Sequence, residues 1–420
     1  MDDFTYDDAG RMCCSAIPLE QIARDIGTPF YCYSLDTLKR HIQAFEEPLN
    51  GIEHQTCFSM KANSNLAILT LMARHGLGAD VVSGGELFRA LKAGISASKI
   101  VYSGIGKTTS EIDMAIGQGI MMFNIESEQE LEVINERAGA LGKKAPISIR
   151  VNPDVDPQTH PYISTGLKEN KFGIDIERST RQYLRAREME HIEVVGIDCH
   201  IGSQLTDISP FIDAVERLKV LIATLRAEGM DFRYLDLGGG LGITYLHEQP
   251  PHPREYCSAI TDAVKDLGMK LIFEPGRVIV GNAGVLVAQV LYRKETQKKT
   301  FIIVDAGMND LIRPALYGAY HNIKPLTFKQ GPTEKADVVG PICESSDFLA
   351  KDRKLPKTEQ GDLLAVMSAG AYGFSMSSNY NSRPRVAEVL VVKDKFFVIR
   401  QREDYDDLIR GETIPDFLKE

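Results

Sequence analysis

Leu235-Asp236-Leu237-Gly238-Gly239-Gly240 is a short apolar run that opens into three consecutive glycines. The run predicts a β-strand, and the glycines predict a turn whose backbone N–H groups can approach an anion closely. In an open doubly wound sheet, such a turn follows the first strand, with an acidic residue about 20 positions further on. Here six other strand-like runs come first. The turn therefore follows a seventh strand, which favours a closed barrel.

Strand-like runs alternate with amphipathic helical stretches from about residue 36 to residue 280. We predict eight strands, at His54–Lys61, Ala79–Ser83, Ile100–Gly104, Met121–Ile125, Ile147–Asn152, Val194–Ile201, Tyr234–Gly238 and Lys270–Glu274. The predicted helices include Gly85–Ala93, Glu128–Leu141, Pro210–Glu228 and Arg254–Leu267. Eight βα units in roughly 250 residues are typical of an α/β fold of the (β/α)₈ TIM-barrel type.

The pattern changes after about residue 281. Strand-like runs without intervening helices lie at Val285–Tyr292, Thr300–Asp305, Asp337–Val339, Asp362–Val366, Val386–Val392 and Lys395–Ile399. They predict a C-terminal β-sandwich or small β-barrel. Pro29–Ser34 also reads as a strand that can join this domain. We therefore expect a barrel over residues 36–280 and a β-rich domain, built from residues 1–35 and 281–420, that completes the active site.

The bulk composition excludes several classes of function. The 420 residues carry a formal charge of −10, which argues against nonspecific binding to nucleic acid or to an anionic membrane. We find no run of about 20 apolar residues that would predict a transmembrane helix, and the acidic start Met1–Phe4 does not resemble a signal peptide. The seven cysteines are irregularly spaced and include no CxxC pair. Free thiols in a reducing cytoplasm are the simplest expectation.

Lys61 is the first candidate for chemistry. In the run Cys57-Phe58-Ser59-Met60-Lys61, strand alternation puts Lys61 on the same face as Ser59 and aims its amine into the barrel mouth. Glu274 ends the eighth predicted strand, and barrel enzymes place their sites at such strand ends. An amine, an anion cradle and a buried carboxylate are what a protein needs to hold pyridoxal 5′-phosphate as a Schiff base.

This cofactor assigns roles to residues at the strand ends. Lys61 would carry it, Glu274 would pair with the pyridine nitrogen and keep it protonated, and His200 would stack on the ring. The phosphate would be held by the backbone N–H groups of Gly239, Gly240, Gly276 and Arg277, with the hydroxyl of Ser203 nearby. Taken singly, each candidate has a plainer explanation, since a lone lysine is usually exposed and three glycines can be only a tight turn. Their coincidence on one rim favours the cofactor site, and no metal site is predicted.

The second domain supplies further candidates. Cys343 can donate a proton to a carbanion, because an ordinary thiol is mostly protonated at neutral pH, although an isolated cysteine is more often inert. Tyr372 lies in a glycine-rich segment further along the chain. Arg313 and Tyr317 could clamp a substrate carboxylate.

These motifs, taken in order, resemble the fold type III pyridoxal phosphate-dependent decarboxylases, which have an alanine racemase-like barrel. The resemblance covers nearly the whole chain. Its carrying segments are FSMKAN around Lys61, GADVVSGGEL at Gly78–Leu87, KFGI at Lys171–Ile174, CHIGSQ at Cys199–Gln204, LDLGGGLGI at Leu235–Ile243, EPGR at Glu274–Arg277, GPICESSDFLA at Gly340–Ala350 and AGAYGFSMSSNYNSRPR at Ala369–Arg385. Each segment alone is weakly or moderately specific, and together they are highly specific.

The resemblance implies roles for the matching positions. Lys61 carries the cofactor, and Cys343 returns a proton to the product carbanion. Cofactor contacts are implied for Gly239, Glu274–Arg277 and Tyr372, and substrate contacts for Arg277, Arg313, Tyr317, Glu344 and Tyr372. It also implies a homodimer with shared active sites, in which Cys343 and Glu344 reach the site of the partner subunit.

Within this family, the implied reaction is decarboxylation of meso-2,6-diaminopimelate to L-lysine and carbon dioxide. Another basic amino acid, such as carboxynorspermidine, arginine, D-lysine or D-ornithine, remains an alternative substrate. Racemisation is disfavoured because Glu274, rather than an arginine, would meet the ring nitrogen. A non-catalytic cofactor carrier is disfavoured because such proteins lack a second domain with segments like those of Cys343 and Tyr372.

Overall fold

The computed structural model describes residues 2–156 and 171–419. The chain forms two compact units, one from Lys39–Gly281 and one from Met1–Leu38 together with Asn282–Glu420. Within the described residues, no helix is both long enough and apolar enough to cross a membrane.

The N-terminal segment begins with a small antiparallel sheet. It is formed by β1 (Phe4–Tyr6), β2 (Met12–Cys14) and β3 (Ile17–Pro18). The chain continues through α1 (Leu19–Ile26), β4 (Phe30–Ser34) and α2 (Leu35–Glu46). All five residues of β4 are buried, as expected for a strand inside a sheet.

Parallel strands and helices alternate through the unit Lys39–Gly281. The strands are β5 (His54–Ser59), β6 (Gly78–Val81), β7 (Ile100–Tyr102), β8 (Met122–Ile125), β9 (Ala145–Asn152), β10 (Ile174–Asp175), β11 (Ile192–Asp198), β12 (Tyr234–Asp236) and β13 (Lys270–Phe273). The helices are α3 (Leu66–Arg74), α4 (Gly84–Lys92), α5 (Thr109–Gln118), α6 (Glu128–Ala140), α7 (Ile176–Arg187), α8 (Ser209–Ala227), α9 (Pro253–Val264) and α10 (Arg277–Val280).

Eight of these strands close into a barrel in chain order. Strand β13 pairs in parallel with β5, with Leu271 opposite His54, and β8 pairs with β9. The short strand β10 adds to β9 outside the closed ring. The predicted (β/α)₈ barrel is therefore confirmed, and each of its eight predicted strands overlaps an observed one. A cluster of buried side chains from five strands includes Cys57 and Ile272, so the barrel interior is packed.

The predicted position of Lys61 within the first barrel strand is wrong. Strand β5 ends at Ser59, and Lys61 lies in a single 3₁₀ turn, Met60–Ala62. The alternation of side chains along β5 therefore reaches only Ser59. The turn still begins at the carboxyl end of β5, so Lys61 stays at the end of the barrel where the other candidates lie.

The other unit is β-rich. Its remaining elements are β14 (Gly284–Glu295), β15 (Thr300–Val304), α11 (Arg313–Tyr317), β16 (Ile323–Pro325), β17 (Thr333–Val339), β18 (Phe348–Pro356), β19 (Leu363–Val366), β20 (Ala387–Val392), β21 (Lys395–Arg400) and α12 (Tyr405–Leu408). The sheet order is β18-β17-β15-β14-β4-β20-β21, with β16 and β19 beside β14.

Strand β4 lies between β14, to which it is antiparallel, and β20, to which it is parallel. The predicted strand Pro29–Ser34 thus joins the β-rich sheet. Its side chains Phe30 and Cys32 pack in one apolar core with Val285, Val287 and Val389. The sheet ties the two ends of the chain into one unit.

Candidate active site

Lys61 is held by a buried carboxylate at the carboxyl end of the barrel. Its Nζ lies 2.5 Å from Oδ2 of Asp80, which also accepts a hydrogen bond of 2.8 Å from Oγ of Ser59. Burial opposes ionisation of Asp80, but the ammonium of Lys61 and the hydrogen bonds outweigh it and lower the pKa of this carboxyl. An ammonium and a carboxylate therefore face each other here. The sequence prediction did not include Asp80, although a carboxylate inside an otherwise apolar strand was a signal.

Glu274 follows β13 and is 5% exposed. Its Oε1 is buried, and no group among the described residues donates a hydrogen bond to it. Burial, followed by the charges of Asp236 and Asp80, raises the pKa of Glu274 well above its ordinary value. A buried carboxyl oxygen without a donor is costly. The N–H of a bound heterocycle would provide the missing partner.

The glycines of the predicted cradle leave no room for side chains. A Cβ on Gly239 would lie 2.2 Å from the carbonyl oxygen of Glu274. Gly240 has φ +118°, and its Cβ would meet the carbonyl oxygen of Gly202 at 2.5 Å. The turn after β12 is therefore built for close approach of backbone, as a phosphate-binding turn requires.

His200 lies against this turn, and its Nδ1 accepts a hydrogen bond of 3.1 Å from the N–H of Gly239. This N–H therefore has an acceptor in this structure, and its contact with a phosphate stays a prediction. Burial, with the charges of Arg150 and Lys61, lowers the pKa of His200 well below its ordinary value. The ring is neutral, and its proton lies on Nε2.

Arg277 begins α10 and links two loops of the barrel. Its Nη1 donates to the hydroxyl of Tyr245 at 2.7 Å, and its Nη2 donates to Oγ of Ser203 at 2.9 Å. Gly276 precedes it, and a Cβ there would lie 3.0 Å from Cβ of Ser59. The loops after β11, β12 and β13 thus meet at one place. Tyr245 was missed because nothing in its local sequence distinguishes it.

A second missed feature supports His200. Nη2 of Arg150 donates to the backbone oxygen of His200 at 3.3 Å, and Nη1 of Arg150 pairs with Oε1 of Glu126 at 2.8 Å. Both side chains are almost completely buried. Such a pair fixes local geometry more than it adds stability.

The barrel candidates therefore form one connected set. Ser59 donates to Asp80, which holds Lys61, and Oγ of Ser59 also lies 3.1 Å from the backbone oxygen of Glu274. Gly239 contacts Glu274 and His200. An amine, an unsatisfied carboxyl and a glycine-lined turn lie together at one end of the barrel, and this donor set fits pyridoxal phosphate.

In the β-rich unit, Arg313 is the first residue of α11 and is buried. Its Nη1 lies 2.8 Å from Nε2 of His321. Tyr317 ends the same short helix and is half-buried. The helix thus carries both predicted carboxylate-binding residues, and it brings in His321, which the sequence prediction did not include.

Cys343 and Glu344 are exposed on a loop whose backbone is well anchored. The N–H of Cys343 donates to Oδ1 of Asn381 at 2.8 Å, and the neighbouring N–H of Ile342 donates to Oδ2 of Asp347 at 2.6 Å. Oε2 of Glu344 accepts from the hydroxyl of Tyr380 at 2.7 Å. That bond, with one from Ser346, lowers the pKa of Glu344. The loop presents a thiol and an ionised carboxylate.

Tyr372 has φ +55° and is half-buried. A bulky residue in this left-handed region costs on the order of 1 kcal/mol or more, and such outliers cluster at functional sites. The geometry therefore marks the segment that sequence motifs had singled out.

Comparison with known proteins shows the family to which the chain belongs. The family model for the pyridoxal-binding domain of pyridoxal-dependent decarboxylases matches residues 35–281. The chain is 53% identical to diaminopimelate decarboxylase of Vibrio cholerae over 415 residues, 99% of each chain.

Two solved structures are also similar. Diaminopimelate decarboxylase of Helicobacter pylori, complexed with L-lysine, has a TM-score of 0.90 and 46% identity, covering 94% of this chain and 99% of that one. The enzyme of M. jannaschii, also in complex with L-lysine, has a TM-score of 0.94 and 43% identity over 100% of both chains. The chain belongs to the pyridoxal-dependent decarboxylase family and, within it, to the diaminopimelate decarboxylases.

Proposed function

We propose that this protein decarboxylates meso-2,6-diaminopimelate to L-lysine and carbon dioxide with pyridoxal phosphate as cofactor. The observation that carries the proposal is the set formed by Lys61, Asp80 and Glu274, an amine and an unsatisfied carboxyl beside a glycine-lined turn. The identity to decarboxylases named for this substrate supports it, and so do the relatives solved with L-lysine, the expected product.

The barrel residues would hold the cofactor. Nζ of Lys61 would bind it covalently, and the carboxyl of Glu274 would pass its proton to the pyridine nitrogen and accept a hydrogen bond from the resulting N–H. His200 would present its ring face. The phosphate would be surrounded by Ser203, Gly239, Gly240, Gly276 and Arg277. When bound, pyridoxal phosphate supplies an electron sink for the bonding pair that remains when a carboxylate leaves as carbon dioxide.

The released amine of Lys61 has a partner in this chain. Whenever Nζ is not bound to the cofactor, its ammonium would pair with Asp80, whose carboxylate lies 2.5 Å away. Ser59 shares that carboxylate and fixes its orientation. Asp80 would thus hold Lys61 at the carboxyl end of the barrel, where the other candidates lie.

Substrate recognition would use opposite charges. We assign the distal carboxylate of the substrate to Arg277 and Arg313, with Tyr317 nearby, and the distal ammonium to Glu344. Tyr372 would contact both substrate and cofactor phosphate. Recognition through paired charges discriminates strongly between amino-acid substrates, because an analogue that lacks one charge leaves the protein group opposite it buried and unpaired.

Cys343 would return the proton to the carbon that loses carbon dioxide. We propose that the protein is a homodimer and that Cys343 and Glu344 serve the site of the partner subunit. Exposure of both residues on an anchored loop supports this assignment. We also propose a cytoplasmic location, which the seven free cysteines support.

Release of carbon dioxide tests the function. The purified protein, with and without added pyridoxal phosphate, is supplied with meso-diaminopimelate, L-lysine, D-lysine, D-ornithine, arginine or carboxynorspermidine. We expect cofactor-dependent release from meso-diaminopimelate with formation of L-lysine. Faster turnover of another basic amino acid would replace the substrate, and no release from any of them would leave a cofactor carrier.

A further inference from the structure

The guanidinium of Arg313 is held by a histidine that has no assigned role. Nη1 of Arg313 lies 2.8 Å from Nε2 of His321, and Nδ1 of His321 lies 2.9 Å from the backbone oxygen of Met367. His321 is completely buried, and Arg313 is 6% exposed. The imidazole therefore bridges the guanidinium and a strand-end carbonyl.

Chemistry fixes the tautomer of this imidazole. A guanidinium only donates hydrogen bonds, so Nε2 of His321 must be the acceptor. A backbone carbonyl only accepts, so Nδ1 must carry the proton. The two partners demand the same neutral Nδ1–H form, and a doubly protonated ring would set an N–H against the N–H of Arg313.

The surrounding backbone holds His321 in place. Gly318, with φ +62°, ends α11 and turns the chain back, so that a residue eight positions after Arg313 returns to it. Nη1 of Arg353 donates to the backbone oxygen of His321 at 2.6 Å, and its guanidinium lies 3.8 Å from the ring centre of Tyr320. The imidazole therefore sits on an anchored loop and can fix the plane of the Arg313 guanidinium.

We propose that His321 is a positioning residue that sets substrate affinity by orienting Arg313 through its neutral Nδ1–H tautomer. The inference rests on the proposed function, which gives Arg313 a substrate carboxylate. A planar fork binds a carboxylate well only when its plane is correct. Loss of the imidazole acceptor should therefore weaken binding of the substrate more than it slows the chemical step.

Kinetics of His321→Phe and His321→Gln test the proposal in the cofactor-loaded enzyme. Phe fills the space without an acceptor, whereas the Gln amide keeps an oxygen for Arg313. We expect His321→Phe to raise KM for meso-diaminopimelate by about 10-fold with a smaller change in kcat, and His321→Gln to restore most of the affinity. Equal KM values for wild type and His321→Phe would overturn it.

A matched control is His54→Phe. His54 also bonds a backbone oxygen through Nδ1, that of Ile52 at 2.8 Å, and a charged residue through Nε2, Glu46 at 3.3 Å. It begins β5, at the opposite end of that strand from the candidate site. We expect its KM to match wild type, and a KM raised as much as in His321→Phe would count against a specific role.

A double-mutant cycle separates the inference from the proposed function. If His321 acts through Arg313, His321→Phe should add little to the KM of Arg313→Met. A raised KM in Arg313→Met with independent, multiplicative effects would overturn the inference alone. An unchanged KM in Arg313→Met, or no carbon dioxide release by wild type, would overturn the role of Arg313 and the positioning with it.

Spectroscopy of the wild-type protein tests the tautomer directly. In the ¹⁵N-histidine-labelled protein, we expect the His321 signals to show a protonated Nδ1 and an unprotonated Nε2. These signals are assigned by their loss in His321→Gln, or by their coupling across the hydrogen bond to ¹³C-labelled Met367. An Nε2–H tautomer or an imidazolium at neutral pH would contradict the proposal.

Discussion

Nζ of Lys61 and Oδ2 of Asp80 lie 2.5 Å apart, and Oγ of Ser59 donates to the same carboxylate oxygen. This carboxylate comes from β6, the strand next to the one that Lys61 follows. Neighbouring parallel strands thus supply the amine and its counter-charge at the same level of the barrel.

Asp80→Asn should lower turnover by about 10- to 100-fold while the protein still binds the cofactor. The amide keeps the shape of the carboxyl but removes the charge that holds the ammonium of Lys61. Steady-state kinetics and the cofactor's visible absorption measure the two effects. Asp113→Asn is the control, because Asp113 forms a salt bridge of similar length, 2.6 Å, with Arg137. That bridge is partly exposed, and such bridges contribute little to stability. Equal turnover in Asp80→Asn and wild type would contradict this role.

Glu274→Gln should raise the stability of the cofactor-free protein and lower the turnover of the cofactor-loaded enzyme. A raised carboxyl pKa means that the folded state holds the proton more tightly than the unfolded chain. The stability of the cofactor-free protein therefore falls as pH rises from about 4.3 toward the raised value. Gln cannot ionise, so we expect the variant to unfold at a higher urea concentration than wild type at pH 8, with a smaller difference near pH 5.

The cofactor-loaded Glu274→Gln enzyme should turn over on the order of 100-fold more slowly, since the pyridine nitrogen loses its anionic partner. Turnover equal to wild type would show that Glu274 does not meet the ring nitrogen. An equal difference in urea midpoint between Glu274→Gln and wild type at about pH 5 and about pH 8 would show that the carboxyl of Glu274 is not a buried acid.

Gly239→Ala should weaken cofactor binding at least about 10-fold. The added Cβ would meet the backbone carbonyl oxygen of Glu274 at 2.2 Å, so the turn and the backbone of Glu274 must move apart. Titration of the cofactor-free protein with pyridoxal phosphate, followed by absorbance, measures the affinity. Gly106→Ala is the control, since a Cβ there would meet nothing within 4 Å. Wild-type affinity in Gly239→Ala would contradict a cradle at this turn.

Cys343→Ala should keep the visible absorption of the bound cofactor and lose turnover by roughly 10²- to 10⁴-fold, the range for removal of a general acid. Ser345→Ala changes an exposed neighbour in the same loop and should leave turnover unchanged. Full activity of Cys343→Ala would remove this thiol from the mechanism.

The sequence predicted the barrel well because its strands are short buried runs separated by long amphipathic helices. The eighth strand, Lys270–Phe273, and the glycine turn after β12 were both placed to within a residue or two. Lys61 was misplaced because an apolar run continues past Ser59, and only backbone geometry shows where pairing stops. Strand β18 was missed because it carries charged residues on its exposed positions.

The site was predicted where a motif carries it and missed where only spatial contact does. Lys61, Glu274 and the glycine turn lie in short motifs from which a chemical role can be predicted. Asp80 and His321 act through partners 19 and 8 residues away, which local patterns do not reveal. The hydrogen bond from Gly239 to His200 likewise joins two loops that follow different strands.

The covalent attachment of the cofactor to Lys61 is the central claim, and one measurement tests it directly. The cofactor-loaded protein is reduced with borohydride and digested, and its peptides are mapped by mass spectrometry. We expect the reduced pyridoxyl group on the peptide that contains Lys61, with none on other lysines. Labelling of a different lysine, or no labelled peptide at all, would contradict the account.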